Sequence, residues 1–142
     1  MEHLGEFILN HWILSSALLV IVALLVWTSL GSVIQGVKEV DPLQATELIN
    51  HRNAVILDVR RDEEYQEGHL PHDIHIPLER LKDKWPSLQK YKDRPIIVVC
   101  RSGQRSNQAA IFLRKQGFEE VYNLKGGILA WKNDHFPLVK GA

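Results

Sequence analysis

The stretch Ile96–Ser106, "IIVVCRSGQRS", sets four consecutive β-branched residues ahead of the only cysteine in a chain of 142 residues. An apolar run without polar alternation reads as a strand buried on both faces. Two arginines, two serines and one glycine follow Cys100 at once. In sheets of parallel strands, ligands bind beyond the carboxyl ends of the strands, and Cys100 stands at such an end. Gly103 permits a tight curl that aims backbone N–H groups inward. That nest, together with the N-terminus of a helix expected over Ser106–Phe118, makes an anion site. Arg101 and Arg105 add positive charge if either side chain turns inward. A thiol in that field loses its proton below the reference value of about 8.5, and the same field attracts an anionic substrate. Cys100 is therefore read as a nucleophile at the lip of a cradle. The competing reading is a buried structural cysteine. With one cysteine no internal disulfide can form; an intermolecular one stays open.

Outward from this loop, short strands alternate with helices. "VDPLQATELINH" supplies Asp41 as an N-cap and Pro42 at the first helical position. "AVILDV", Ala54–Val59, is a second strand of the doubly buried kind. "RDEEYQEGH", Arg61–His69, reads as a polar helix stopped by Gly68. "DIHIP", Asp73–Pro77, is a short strand, and Leu78–Asp93 is helical with a break at Pro86. Beyond the loop, Gly117 closes a helix, Glu120–Leu124 is a strand, and Gly126–Asp134 is a last short helix. This alternation implies parallel β/α units around a central sheet. Lys plus Arg number 17 and Asp plus Glu 17, so the net charge is zero. That balance gives no basic footprint for nucleic acid.

At the other end, Trp12–Ile34 reads "WILSSALLVIVALLVWTSLGSVI", without a charge. As a helix it spans roughly 34 Å, enough for a bilayer core of about 30 Å. Its densest part is apolar on every face, unlike an amphipathic surface helix. The preceding segment has no Lys or Arg and no A-x-A site follows, which favours a retained anchor over a cleaved signal peptide. A buried core helix is the third reading. Lys38 and Arg52 lie on the C-terminal side only, so the positive-inside rule puts the following domain in the cytoplasm.

"LDVRRDEEYQEGHLPHDIHIP", "VVCRSGQRS" and "NLKGGILAW" together resemble the three signature stretches of the rhodanese family, in its order and spacing. The resemblance covers roughly 40–137. It implies an α/β rhodanese-like fold, a central parallel five-stranded sheet flanked by helices, here preceded by one transmembrane helix. The expected organisation is a flank over 1–11, the membrane helix over 12–34, a linker over 35–39, the rhodanese domain over 40–138 and a tail over 139–142. The resemblance also implies sulfurtransferase chemistry. A Cys100 persulfide would form from a small donor such as thiosulfate and pass its sulfur to a thiol or cyanide-like acceptor. By position, Arg101, Ser102, Gly103, Gln104 and Arg105 form the substrate-binding loop, with Arg105 a binder of leaving sulfite. Asp58 and Arg60 brace the edge of the site. No metal or organic cofactor is implied. One departure stands out: His72 and Asp73 replace the family's usual small pair.

Other readings remain. Related loops serve phosphatases, but those carry C-x5-R, whereas Cys100 to Arg105 is C-x4-R, and the smaller ring suits a sulfur atom. A membrane-tethered interaction module is an alternative from another class. His69, His72 and His75 invite a metal, but Pro71 prevents a regular helix that gathers all three. Trp85, Trp131 and Phe136 are expected to pack the core or its rim. The localisation expected is the inner (plasma) membrane, single-pass, with a membrane protein as a possible partner.

Overall fold

Parallel β/α alternation is the order that the chain follows in a computed structural model, which describes residues 2–34 and 37–141. Met1, Gln35, Gly36 and Ala142 lie outside the described residues, and with them the start of the expected linker and the end of the expected tail. The chain divides into two units, one ending at Gln35 and one beginning at Gly36.

The first unit is helical. Helix α1 (Glu2–Asn10) occupies the segment read as a flank, and α2 (Trp12–Ile34) follows it. The two are joined by helical hydrogen bonds through His11, from its N–H to Phe7 O and from Ser15 N–H to its carbonyl, each 3.0 Å. Residues Trp12–Leu30 are long and apolar enough to cross a membrane, and none of that stretch is buried. The hydroxyls of Ser16 and Thr28 donate to the carbonyls of Trp12 and Leu25 at 2.7 and 3.0 Å. These two hydroxyls thus find their partners within the helix itself.

The second unit comprises β1 (Lys38–Val40), α3 (Pro42–Arg52), β2 (Val55–Asp58), α4 (Asp62–Glu67), β3 (Ile74–His75), α5 (Leu78–Lys84), β4 (Ile96–Val99), α6 (Gln104–Lys115), β5 (Val121–Leu124) and α7 (Gly127–Asn133), with a 3-10 turn over Trp85–Tyr91 after α5. The strands form one five-stranded sheet in the order β1-β5-β4-β2-β3, parallel throughout. This is the rhodanese-like architecture that the resemblance implies. Asp41 caps α3 as expected: its carboxylate accepts from Gln44 N–H at 2.7 Å, and the Gln44 side chain accepts from Asp41 N–H at 3.0 Å.

Every residue of β2 and β4 is buried, which is why neither shows polar alternation. Leu57, Val98 and Cys100 pack against Ala109, Leu113 and Phe118 on one face. Ile56, Ile97 and Val99 pack against Ala45, Ile128 and Trp131 on the other. Trp85 meets Phe118 edge-on at 6.4 Å, and Phe136 leans on Trp131 at 4.8 Å. The register pairs Asp58 with Val99 and Val98 with Asn123. The carboxyl ends of β2, β4 and β5 therefore reach one edge together, with Cys100 at its centre.

Three boundaries differ from the sequence reading. Lys38 and Glu39, read as linker, begin the sheet as β1; two exposed polar residues masked a strand held by backbone pairing. Helix α6 begins at Gln104, because Gly103 takes a left-handed φ of 110° and caps it. Gln104 and Arg105 are thus its first turn, not loop. The tail is tied down: His69 and Val139 exchange backbone hydrogen bonds at 2.8 Å, and Gly141 N–H donates to Gln66 O at 3.1 Å.

Candidate active site

Cys100 leaves β4 and the chain turns back over it. Its Sγ accepts the Gly103 N–H at 3.0 Å and lies 3.2 Å from the Ser106 hydroxyl. The backbone amides of Ser106 and Ser102 also favour the charged sulfur. Burial pushes the thiol pKa up, but these hydrogen bonds outweigh it and hold the value below the ordinary range. Cys100 is only 1% exposed. It lies on the floor of the cradle rather than at its lip, because the amides draw the sulfur beneath the loop.

The loop is fixed from below by β5 and α7. Asn123 donates its amide N–H to Gly103 O at 3.0 Å and accepts the Ser106 hydroxyl at 2.5 Å. Ile128 N–H reaches Cys100 O at 2.8 Å and Leu129 N–H reaches Arg101 O at 3.3 Å. Gly127 makes this approach possible: with φ at 60°, a Cβ there would stand 2.4 Å from both the Cys100 and the Arg101 carbonyl oxygens. Ser106, Asn123 and Gly127 were not singled out as site residues by the sequence reading. The glycine pair Gly126–Gly127, one residue past a strand, was the available signal for Gly127.

The charged residues distribute unevenly. Arg105, expected to bind sulfite, donates both arms of its guanidinium to Glu64, at 2.9 and 2.8 Å. Glu64 also accepts from Arg61 at 3.1 Å. The Arg105 hydrogen bonds, against opposition from burial, hold the Glu64 carboxyl down at about 2. Arg101, Ser102 and Gln104 are exposed. Arg101 lines a cleft of about 190 Å³ together with Lys132, Glu64 and Glu67.

Asp58 and Arg60 form a buried pair, with the Arg60 Nη2 2.8 Å from the carboxylate. Arg60 also donates to the carbonyls of Gly68 at 2.7 Å and Glu64 at 3.1 Å. It thereby ties the middle and the C-terminal end of α4 to the sheet edge. The three histidines do not converge. His69 and His75 stack on opposite faces of Tyr65, each with ring centroids 3.9 Å away. Their Nε2 atoms lie 2.8 Å from the carbonyls of Gly141 and Arg60. His72 takes a φ of 60° in the turn between them. Asp73, the other half of the departure from the family pattern, accepts the Tyr65 hydroxyl at 2.7 Å. Burial is the chief cause that raises the pKa of both Tyr65 and Asp73.

Comparison with known proteins agrees with this geometry. A family profile described as "Rhodanese-like domain" matches residues 41–134. A protein of Escherichia coli K12, the uncharacterized protein YibN, is 34% identical over 142 residues, covering 99% of each chain. The thiosulfate sulfurtransferase GlpE of Coxiella burnetii is 38% identical over 98 residues, covering 69% of this chain and 90% of its own. Among solved structures, a rhodanese-related protein from Thermoplasma volcanium superposes with a TM-score of 0.67 at 30% identity, covering 73% of this chain and 99% of the other.

Proposed function

Because this chain belongs to the rhodanese family, we propose that it is a membrane-anchored sulfurtransferase working through a Cys100 persulfide. The observation that carries the reading is the convergence of the Gly103 N–H and the Ser106 hydroxyl on a single sulfur held at the carboxyl end of β4. Donors aimed at a sulfur stabilise negative charge on it, before and after a second sulfur is added. The Cys100 thiolate attacks the outer sulfur of a donor. With thiosulfate, the S–S bond of the donor breaks and its electron pair leaves with sulfite. The new S–S bond holds the sulfur on Cys100, and a thiol or cyanide removes it. No metal or organic cofactor enters these steps. The amides of Ser102 and Gly103 face the incoming sulfur, and the Asp58–Arg60 pair holds the edge that supports them.

The span Trp12–Leu30 serves as the anchor in this reading. Lys38 and Arg52, with no Lys or Arg before the span, orient the domain to the cytoplasmic face of the plasma membrane. Its physiological partner there is a membrane protein that supplies or consumes the sulfur compound.

Thiosulfate treatment followed by intact-mass spectrometry tests the chemistry. The expected result is a gain of one sulfur atom that cyanide removes and that Cys100→Ser abolishes. An unmodified thiol under these conditions, with a protein that co-purifies stoichiometrically, would favour the interaction module instead.

A further inference from the structure

Arg105 lies in the first turn of α6, five residues past Cys100, and its pKa is raised chiefly by its hydrogen bond to Glu64, with the charge of Cys100 a smaller contribution. Its guanidinium fork is nonetheless already filled. Glu64 accepts from both arms, at 2.9 and 2.8 Å, the bidentate geometry that an oxyanion would otherwise take. The contact is held by the fold rather than by chance. Arg60, itself buried against Asp58, grips the Glu64 carbonyl at 3.1 Å, and Arg61 adds a third bond to the same carboxylate. An anionic donor that needs Arg105 must displace an internal carboxylate and approach its negative charge.

We propose that Glu64 is a donor-selectivity residue: by filling the Arg105 fork it turns the site away from thiosulfate, which departs as a sulfite dianion, and toward organic persulfides, which depart as thiolates. This inference rests on the sulfurtransferase reading. The persulfide step balances without a co-reactant. The Cys100 thiolate attacks the outer sulfur of R–S–SH, the bond between its two sulfurs breaks, and the electron pair leaves on R–S⁻ while Cys100 becomes the persulfide. The surroundings of Arg105 offer apolar wall to an organic group. An opening of about 270 Å³ beside it is lined by Val59, Pro77 and Leu78, with Arg61 and Glu79 as the other charged residues, whose opposite charges offset each other.

The test compares kcat/KM for Cys100 persulfide formation by the full chain in detergent, using thiosulfate and the persulfide of 2-mercaptoethanol. The wild-type chain is expected to favour the organic persulfide. Glu64→Gln is expected to raise kcat/KM for thiosulfate by about three- to ten-fold through KM, with the value for the organic persulfide changed less than about two-fold. Glu64→Asp, which keeps the charge but withdraws it by one methylene, should fall between. The thiosulfate gain should vanish in the Glu64→Gln, Arg105→Gln double variant. An unchanged or weaker thiosulfate reaction in folded Glu64→Gln overturns the proposal, as does a parallel fall with both donors, which would mark Glu64 as a loop support only. If Glu64→Gln does not fold, a Glu64→Asp variant without a thiosulfate gain overturns it equally. Absence of any Cys100 persulfide in the wild-type chain with either donor is a separate outcome: it defeats the sulfurtransferase reading itself, and this inference with it.

Discussion

Ser106 has one hydroxyl proton and two neighbours that accept it, the Cys100 sulfur at 3.2 Å and the Asn123 carbonyl at 2.5 Å. The Asn123 amide cannot turn over, because its N–H already serves Gly103 O. With a neutral thiol the proton belongs on Asn123; with a thiolate it turns to the sulfur and helps to hold the charge. The acidic limb of kcat/KM is therefore expected below the ordinary thiol range of about 8.5, in keeping with the lowered pKa of Cys100. Ser106→Ala should move that limb upward by about 0.7 unit, the equivalent of one hydrogen bond near 1 kcal/mol, as followed by thiolate absorbance against pH. Gly127→Ala forces a Cβ into two carbonyl oxygens at 2.4 Å and should cost about 2 kcal/mol in denaturant unfolding and lower the transfer rate at least about ten-fold. The cysteine and Gly103 were legible because their chemistry lies within six residues of sequence. Glu64 and Asn123 were not, since each acts through a partner that is distant in sequence (41 residues from Glu64 to Arg105, 20 from Asn123 to Gly103), and nothing local marks such a pairing.

Among the elements, the doubly buried strands and the capped helix α3 declared themselves through apolar runs and the Asp41–Gln44 box. β1 did not: its burial runs exposed, exposed, buried, and its membership rests on ladder bonds to β5. Helix α4 shows how a short element gains a fixed place. Six residues long, it has little helical stability of its own, and Arg60 pins its middle and its C-terminal cap. Arg60→Ala leaves Asp58 buried without its counter-charge and should destabilise the domain by about 3–5 kcal/mol, as measured by denaturant melts. Leu113 of α6 is fully buried against β4. Leu113→Ala should cost about 2–5 kcal/mol and loosen the helix whose first turn carries Ser106.

For the whole molecule, acid stability should carry the mark of one ion pair. The folded Glu64 carboxyl sits at about 2 against an ordinary 4.5. Its contribution is present in full above pH 4.5 and fades as the medium is acidified toward 2. The stability difference between the wild-type chain and Glu64→Gln should shrink across that window, by about 1 kcal/mol for a partly exposed pair. Carbonate washing of membranes tests the anchor: the full chain is expected to stay with the pellet, and recovery in the supernatant would remove the span from the account. The cysteine tucked beneath its own turn has a further consequence. Two molecules of the protein cannot bring their sulfurs into contact, so oxidising conditions should yield no covalently linked pairs on a non-reducing gel. The sulfur is closed to its own twin.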